Sequence, residues 1–154
     1  MEIAEESNMT DEVKERTKQE LIDELLSLPV LARLATTNVH TLQPHVVPLW
    51  FLWDGTNAWI SSFVSTRKIK DLHSNPHGAL LVEPKQEGYK LQAVLLEGKV
   101  ELIAEPRDFV ASQSLKIYTH YLGPQGVLAA DPQSWAVDPE NRLIKLTPER
   151  VIAW

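Results

Sequence analysis

The stretch that decides the fold is Ala58-Trp59-Ile60-Ser61-Ser62-Phe63-Val64-Ser65-Thr66-Arg67-Lys68-Ile69-Lys70-Asp71-Leu72-His73-Ser74-Asn75-Pro76. It reads as a strand, a short polar turn and a helix that stops at Asn75-Pro76, because the residue before a proline is pushed out of helical conformation. Arg67, Lys68 and Lys70 stand in the first turn of that helix, where the macrodipole favours negative charge by roughly 0.3–1 kcal/mol per group. An anion resolves the conflict. The free amides of a helix start, the Ser65 and Thr66 hydroxyls and two cationic side chains make a donor cluster suited to a phosphate. The competing reading is a solvated helix start that tolerates its cations.

Just upstream, Asp54-Gly55-Thr56-Asn57 is a hairpin loop. It returns the chain from Pro44–Trp53, an apolar and β-branched segment whose prolines place it at a sheet edge or a bulge. The phosphate candidate therefore follows a hairpin strand and not a parallel βαβ strand, and no GxGxxG or GxxxxGK[ST] run is present. Farther upstream, residues 30–37 alternate with period two, and a turn runs from Asn38 to Gln43. Thr10 or Asp11 caps a helix running to about Ser27, with Val13, Thr17, Leu21, Leu25 and Leu28 as its inner stripe and Pro29 as its stop.

Downstream, Gly78–Glu83 reads as a strand buried on both faces, then Pro84 to Gly88 as a polar loop. A long strand covers Tyr89 to about Ile103, with Gly98 marking a bulge or a close backbone approach. Pro106 opens a helix that Gly123-Pro124 ends. Residues 126–139 read as a loop holding Trp135, and Arg142–Thr147 and Arg150–Trp154 as two closing strands. Six or seven strands and three helices without βαβ alternation predict one mainly β (α+β) domain over 1–154, an antiparallel barrel with peripheral helices.

A net charge of −6 argues against a nucleic-acid module, which needs a basic face. The absence of cysteine removes disulfides, thiolate metal sites and a Cys nucleophile. An acidic start lacking a basic and apolar leader, and no long apolar run, predict a cytoplasmic protein without a membrane span. His73 and His77 are four apart, but Asn75-Pro76 breaks the helix between them, so no metal site is expected. Ser61 and Ser62 lack a GxSxG elbow, and Asp108 and Asp138 suit a helix start and a turn. No catalytic residue can be nominated. Trp50, Trp53, Trp59, Trp135 and Trp154 either stack on a planar ring or fill the core. A phosphate clamp beside an aromatic-rich barrel, with few reactive side chains, points to a bound cofactor as the source of chemistry.

The sequence resembles the pyridoxamine 5′-phosphate oxidase-like superfamily of split β-barrel flavoproteins over Val30 to Ile103. The resemblance is carried by Ala32-Arg33-Leu34-Ala35-Thr36, the Pro44 to Phe51 strand, the Asp54-Gly55 hairpin, Ile60-Ser61-Ser62 leading to Ser65-Thr66-Arg67-Lys68, Asn75-Pro76, and Leu96-Glu97-Gly98-Lys99-Val100-Glu101. It implies that Thr66, Arg67 and Lys68 bind an FMN phosphate, and that Ile60, Ser61 and Ser62 lie along the isoalloxazine, largely through backbone groups. It also implies a homodimer with cofactor at the subunit interface. The family glutamine that touches the flavin falls at Ala93, with Gln92 one residue off. His45 or Val46, and Trp50 or Phe51, stand where the oxidase has a phosphate arginine and a ring-side lysine. The carboxy-terminal Arg and His of the oxidase have no match, which argues against true pyridoxamine phosphate oxidation.

The expected function is that of an FMN-dependent oxidoreductase acting on a small-molecule substrate. One alternative is a reductase of the same fold using the deazaflavin F420. Another is a noncatalytic flavin or haem protein, with His45, His73, His77 and His120 as axial-ligand candidates.

Overall fold

The computed structural model describes residues 16–154. Its elements are α1 (Lys18–Leu26), β1 (Ala32–Thr37), β2 (Pro44–Leu49), β3 (Leu52–Trp53), β4 (Ala58–Phe63), α2 (Arg67–Ser74), β5 (His77–Val82), β6 (Val94–Ile103), α3 (Arg107–Gly126), α4 (Ala130–Val137) and β7 (Asn141–Ala153). All seven strands form one antiparallel sheet in the order β2-β1-β5-β6-β7-β4-β3. The two edge strands, β2 and β3, are consecutive in the chain and separated only by Trp50 and Phe51. The three Cα–Cα steps from Leu49 to Leu52 span at most about 11 Å, so the sheet has to curl to bring its edges together. The result is the expected split barrel.

The proline-bearing Pro44–Trp53 segment supplies both edges, where missing amide donors are tolerated. Inside the curl, Leu34, Ile60, Leu80, Val82, Leu96, Ile144 and Leu146 form the barrel core, plugged by Leu25 and Leu26 of α1 and by Ile69 and Leu72 of α2. A second core lies outside, where Val110, Ile117 and Tyr118 of α3 and Ala136 of α4 cover Trp59 and Leu143. Gly98 sits at a register break between β6 and β7. A Cβ there would run into the Thr147 carbonyl oxygen and lie 2.9 Å from the Pro148 Cα, which accounts for the glycine.

Several boundaries differ from the sequence reading. Thr17 is the N-cap of α1, its hydroxyl accepting from the Glu20 amide at 3.1 Å; the expected cap at Thr10 or Asp11, and Val13, lie outside the described residues. The long strand begins at Val94 and not Tyr89, because the amides of Gln92 and Ala93 both donate to the Trp154 carbonyl (2.6 and 3.1 Å). The two closing strands are one thirteen-residue strand, β7, which follows β6 through the bulge.

Residues 126–139 are not a loop: Ala130–Val137 is helical, which makes four helices among the described residues. Asp131 suits the first turn, Pro132 is tolerated there, and burial of Pro132 and Ala136 supplies the packing that the sequence pattern did not advertise. Gly123 (φ 79°, ψ 170°) interrupts α3 before Pro124, where a stop was expected. On β5, Leu80 and Val82 are fully buried, whereas Ala79 and Leu81 are half-buried in the single chain. No helix among the described residues is long and apolar enough to cross a membrane.

Candidate functional site

Strand β4 pairs with β7 along its whole length, from Ala58 to Phe63. Its other side meets β3 only at Ala58 and Trp59. Among the described residues the backbone of Ile60–Ser62 therefore forms a strand edge open on that side, whereas the Phe63 carbonyl is taken up by the Thr66 amide at 3.0 Å. Side chains alternate along it. Ile60 points into the barrel core and is fully buried. Ser61 points the other way, donating to Asn141 Oδ1 and accepting from the Tyr118 hydroxyl, both at 2.7 Å. Asn141 is itself fully buried and donates to Ser114 Oγ at 2.9 Å. This network locks the Ser61 hydroxyl, which leaves it no role as a nucleophile.

At the end of β4, Ser62 Oγ lies 3.2 Å from Thr66 Oγ1, which donates onward to the Phe63 carbonyl at 2.8 Å. Thr66 occupies the N-cap position of α2 yet makes no side-chain cap bond. Among the described residues no side chain caps the first-turn amides of α2, which leaves the positive end of the helix to an anion. Lys68 stands beside them. Its ammonium is half-buried, and burial holds its pKa below the ordinary lysine value. Among the described residues no carboxylate pairs with it.

Ser61, Ser62, Phe63, Thr66 and Lys68 line one side of a cleft of about 310 Å³, and Trp50, Tyr118 and Trp135 line the other. Tyr118 meets Trp50 and Trp135 edge-on, with centroids 6.3 and 5.8 Å away. Trp50 stacks on Tyr121 at 4.9 Å and 10°. The Tyr121 hydroxyl accepts from the Phe51 amide (3.1 Å) and donates to the Val30 carbonyl (2.7 Å). Burial pushes the Tyr121 pKa up to about 12, so that clamp stays protonated well into the alkaline range. Burial likewise raises the Tyr118 pKa, although hydrogen bonds with Ser61 and Ser114 oppose it.

Of the eight residues expected at the site, the structure brings Ser61, Ser62, Thr66 and Lys68 to one cleft. Ile60 does not line the cleft, its side chain being buried in the barrel core. Ser65 is exposed at the turn. Arg67, half-exposed, directs its Nε toward Asp71, 3.9 Å from Oδ2, and does not line the cleft. Gln92 is exposed in the segment before β6, beside Pro84–Leu91. It is near the β6 end that pairs with Ala153, whereas Ile103 at the other end pairs with Leu143, the partner of Ser61. Within one chain, Gln92 and the cleft are therefore far apart. Sequence reasoning did not name Tyr118 or Asn141, which lie 57 and 80 positions from Ser61. The only signal for the aromatic wall was the surplus of tryptophan.

A family model described as pyridoxamine 5′-phosphate oxidase matches residues 19–154, and the chain belongs to that family. The match extends well beyond the 30–103 span that carried the sequence resemblance. No functionally curated protein sequence matches significantly. Among solved structures, an F420 reductase aligns with TM-score 0.68 and 23% identity, covering 84% of this chain and 94% of the other. A conserved hypothetical protein of Mycobacterium tuberculosis aligns with TM-score 0.73 and 20% identity, over 90% and 84% of the two chains. HutZ, a haem storage protein of Vibrio cholerae, aligns with TM-score 0.66 and 14% identity, over 85% and 90%. At such identities the likeness concerns the fold alone.

Burial makes the charged form of Lys68 unfavourable in the ligand-free fold. A lysine pKa lower in the folded than in the unfolded chain destabilises the fold while the side chain is protonated. That cost fades as pH rises through the lysine range. Lys68→Met is therefore expected to melt at or above the wild-type temperature near neutral pH when no ligand is present, with the gap narrowing at alkaline pH. Thermal denaturation as a function of pH measures this.

Proposed function

We propose that the chain is an FMN-binding oxidoreductase of the pyridoxamine 5′-phosphate oxidase-like superfamily, acting on a small molecule. The observation that carries this reading is the half-buried Lys68 ammonium beside an uncapped helix start, at one end of an aromatic cleft. A dianionic phosphate supplies the missing acceptor for the α2 amides, Thr66 and Lys68. The open edge of β4 offers backbone groups to the polar rim of a flavin, and Trp50, Tyr118 and Trp135 offer ring faces and edges. Bound there, a flavin supplies electron and hydride transfer, for which the protein's own side chains are not equipped. Position and electrostatics are the protein's share: Lys68 fixes the phosphate, and the Ser61–Asn141–Tyr118 network keeps the wall rigid.

A deazaflavin is the second reading, supported by likeness to the F420 reductase, since F420 also carries phosphate. A noncatalytic haem or flavin carrier is the third, supported by likeness to HutZ. None of His45, His73, His77 and His120 lines the cleft, which favours the flavin readings. A cytoplasmic location fits a cysteine-free acidic chain.

We also propose a homodimer. One cross-strand row on the outward face of the sheet holds Leu81, Leu95 and Ile152, opposite in direction to the buried Leu80 and Leu96. The adjacent row includes Val46, 59% exposed. A strand that is apolar on both faces calls for two covering layers, and a second copy supplies the outer one.

Lys68→Ala is expected to weaken FMN binding by about 1.5–3 kcal/mol, and Arg67→Ala by less because its side chain is half-exposed. Fluorescence titration measures both; unchanged affinity in the double variant would contradict the phosphate assignment. Leu81→Glu is expected to convert a dimer to monomers in sedimentation velocity, and a monomeric wild type at micromolar concentration would remove the dimer proposal.

A further inference from the structure

Asp71 is a carboxylate with 4% exposure, buried between α2 and β1. Burial of an ionised carboxylate is expensive unless charge and hydrogen bonds compensate it. Thr36, itself 2% exposed on β1, donates its hydroxyl to Asp71 Oδ2 at 2.9 Å. The same oxygen faces Arg67 Nε at 3.9 Å. Asp71 is thus held from the barrel side by a rigid strand and looks out along α2 toward its first residue. The closest approach of this ion pair is at the Nε edge of the guanidinium, too long for a hydrogen bond, and the terminal Nη fork is the part that matches a phosphate. Arg67 is the residue between Thr66 and Lys68, both of which line the cleft.

Resting on the phosphate reading above, we propose that Asp71 is a positioning residue for the phosphate end of the site: Thr36 orients Asp71, and Asp71 orients Arg67 so that its fork serves the cofactor phosphate. An arginine tethered on one edge loses less side-chain freedom on binding than a free one, so more of the ion-pair energy appears as affinity. Neither Asp71 nor Arg67 lines the cleft with its aromatic wall, so neither meets the ring; the half-exposed Arg67 reaches a phosphate only where that group extends past Thr66 and Lys68 at the start of α2. Asp71 therefore sets selectivity for phosphorylated over unphosphorylated flavin.

The test is titration of the flavin-free full chain with FMN and with riboflavin, which differ only by the phosphate. Asp71→Asn keeps the shape and the acceptor for Thr36 but removes the charge. It is expected to lower the FMN-to-riboflavin affinity ratio by about fivefold to tenfold while riboflavin affinity stays within about twofold. Thr36→Val is expected to move the ratio in the same direction by less. In an Arg67→Ala background Asp71→Asn is expected to change nothing further, since its action passes through that side chain. An unchanged or increased ratio in Asp71→Asn, an equal loss of both ligands, or a full effect in the Arg67→Ala background overturns the proposal. A wild type that prefers FMN in those cases leaves the phosphate reading standing, whereas a wild type that binds both flavins alike overturns the phosphate reading and this inference together.

Discussion

The sheet closes because its two edges are joined by a two-residue link, and the cleft depends on that constraint. Trp50 and Phe51 cannot be both a short bridge and part of a regular strand, so β3 keeps only two residues and pairs with only the beginning of β4. The remainder of β4 is left with one open side. Tyr121 makes this break stable by taking up the Phe51 amide and the Val30 carbonyl that a continuous ladder would otherwise have satisfied, and by stacking on Trp50. A single aromatic residue on α3 thereby fixes both the closure of the barrel and one wall of the site.

From that opening follows a division of labour between the two cores. The barrel core holds β4 and α2 at a fixed angle through Ile60, Ile69 and Leu72. The outer core, built from α3, α4 and the far face of β4, presents Tyr118 and Trp135. The cleft lies where the two meet, so neither core alone defines it. Among the described residues the unfavourable features gather there: a half-buried ammonium without a carboxylate partner, a helix start without a side-chain cap and a strand edge without a pairing strand. Each is a local defect in the ligand-free fold, and the phosphate-bearing planar ligand proposed above would answer all three.

Much of this was legible in the sequence. The β4–α2 unit could be read because its signals are local: a hairpin turn at Asp54-Gly55, alternating apolar residues, and cations where a helix start disfavours them. Gly98 was legible for the same reason, since a glycine inside a strand pattern marks a place where another backbone comes close. What escaped was set by tertiary contact. Helix α4 has no amphipathic pattern and is held by Pro132 and Ala136 against α3, so composition read it as a loop. Tyr118 and Asn141 reach Ser61 only because β7 pairs with β4 and α3 covers that pairing. Arg67 was grouped with Lys68 by adjacency, but its side chain does not line the cleft and lies with its Nε 3.9 Å from Asp71, one helical turn on.

The central claim is that the cleft beside Lys68 holds a phosphate-bearing isoalloxazine. The most direct measurement is the absorption spectrum and mass of the molecule released when the purified protein is denatured, followed by titration of the flavin-free protein with FMN and F420. The account predicts released FMN, or tight and saturable FMN binding. Selective binding of F420 would reassign the cofactor within the same cleft; binding of neither would contradict the claim.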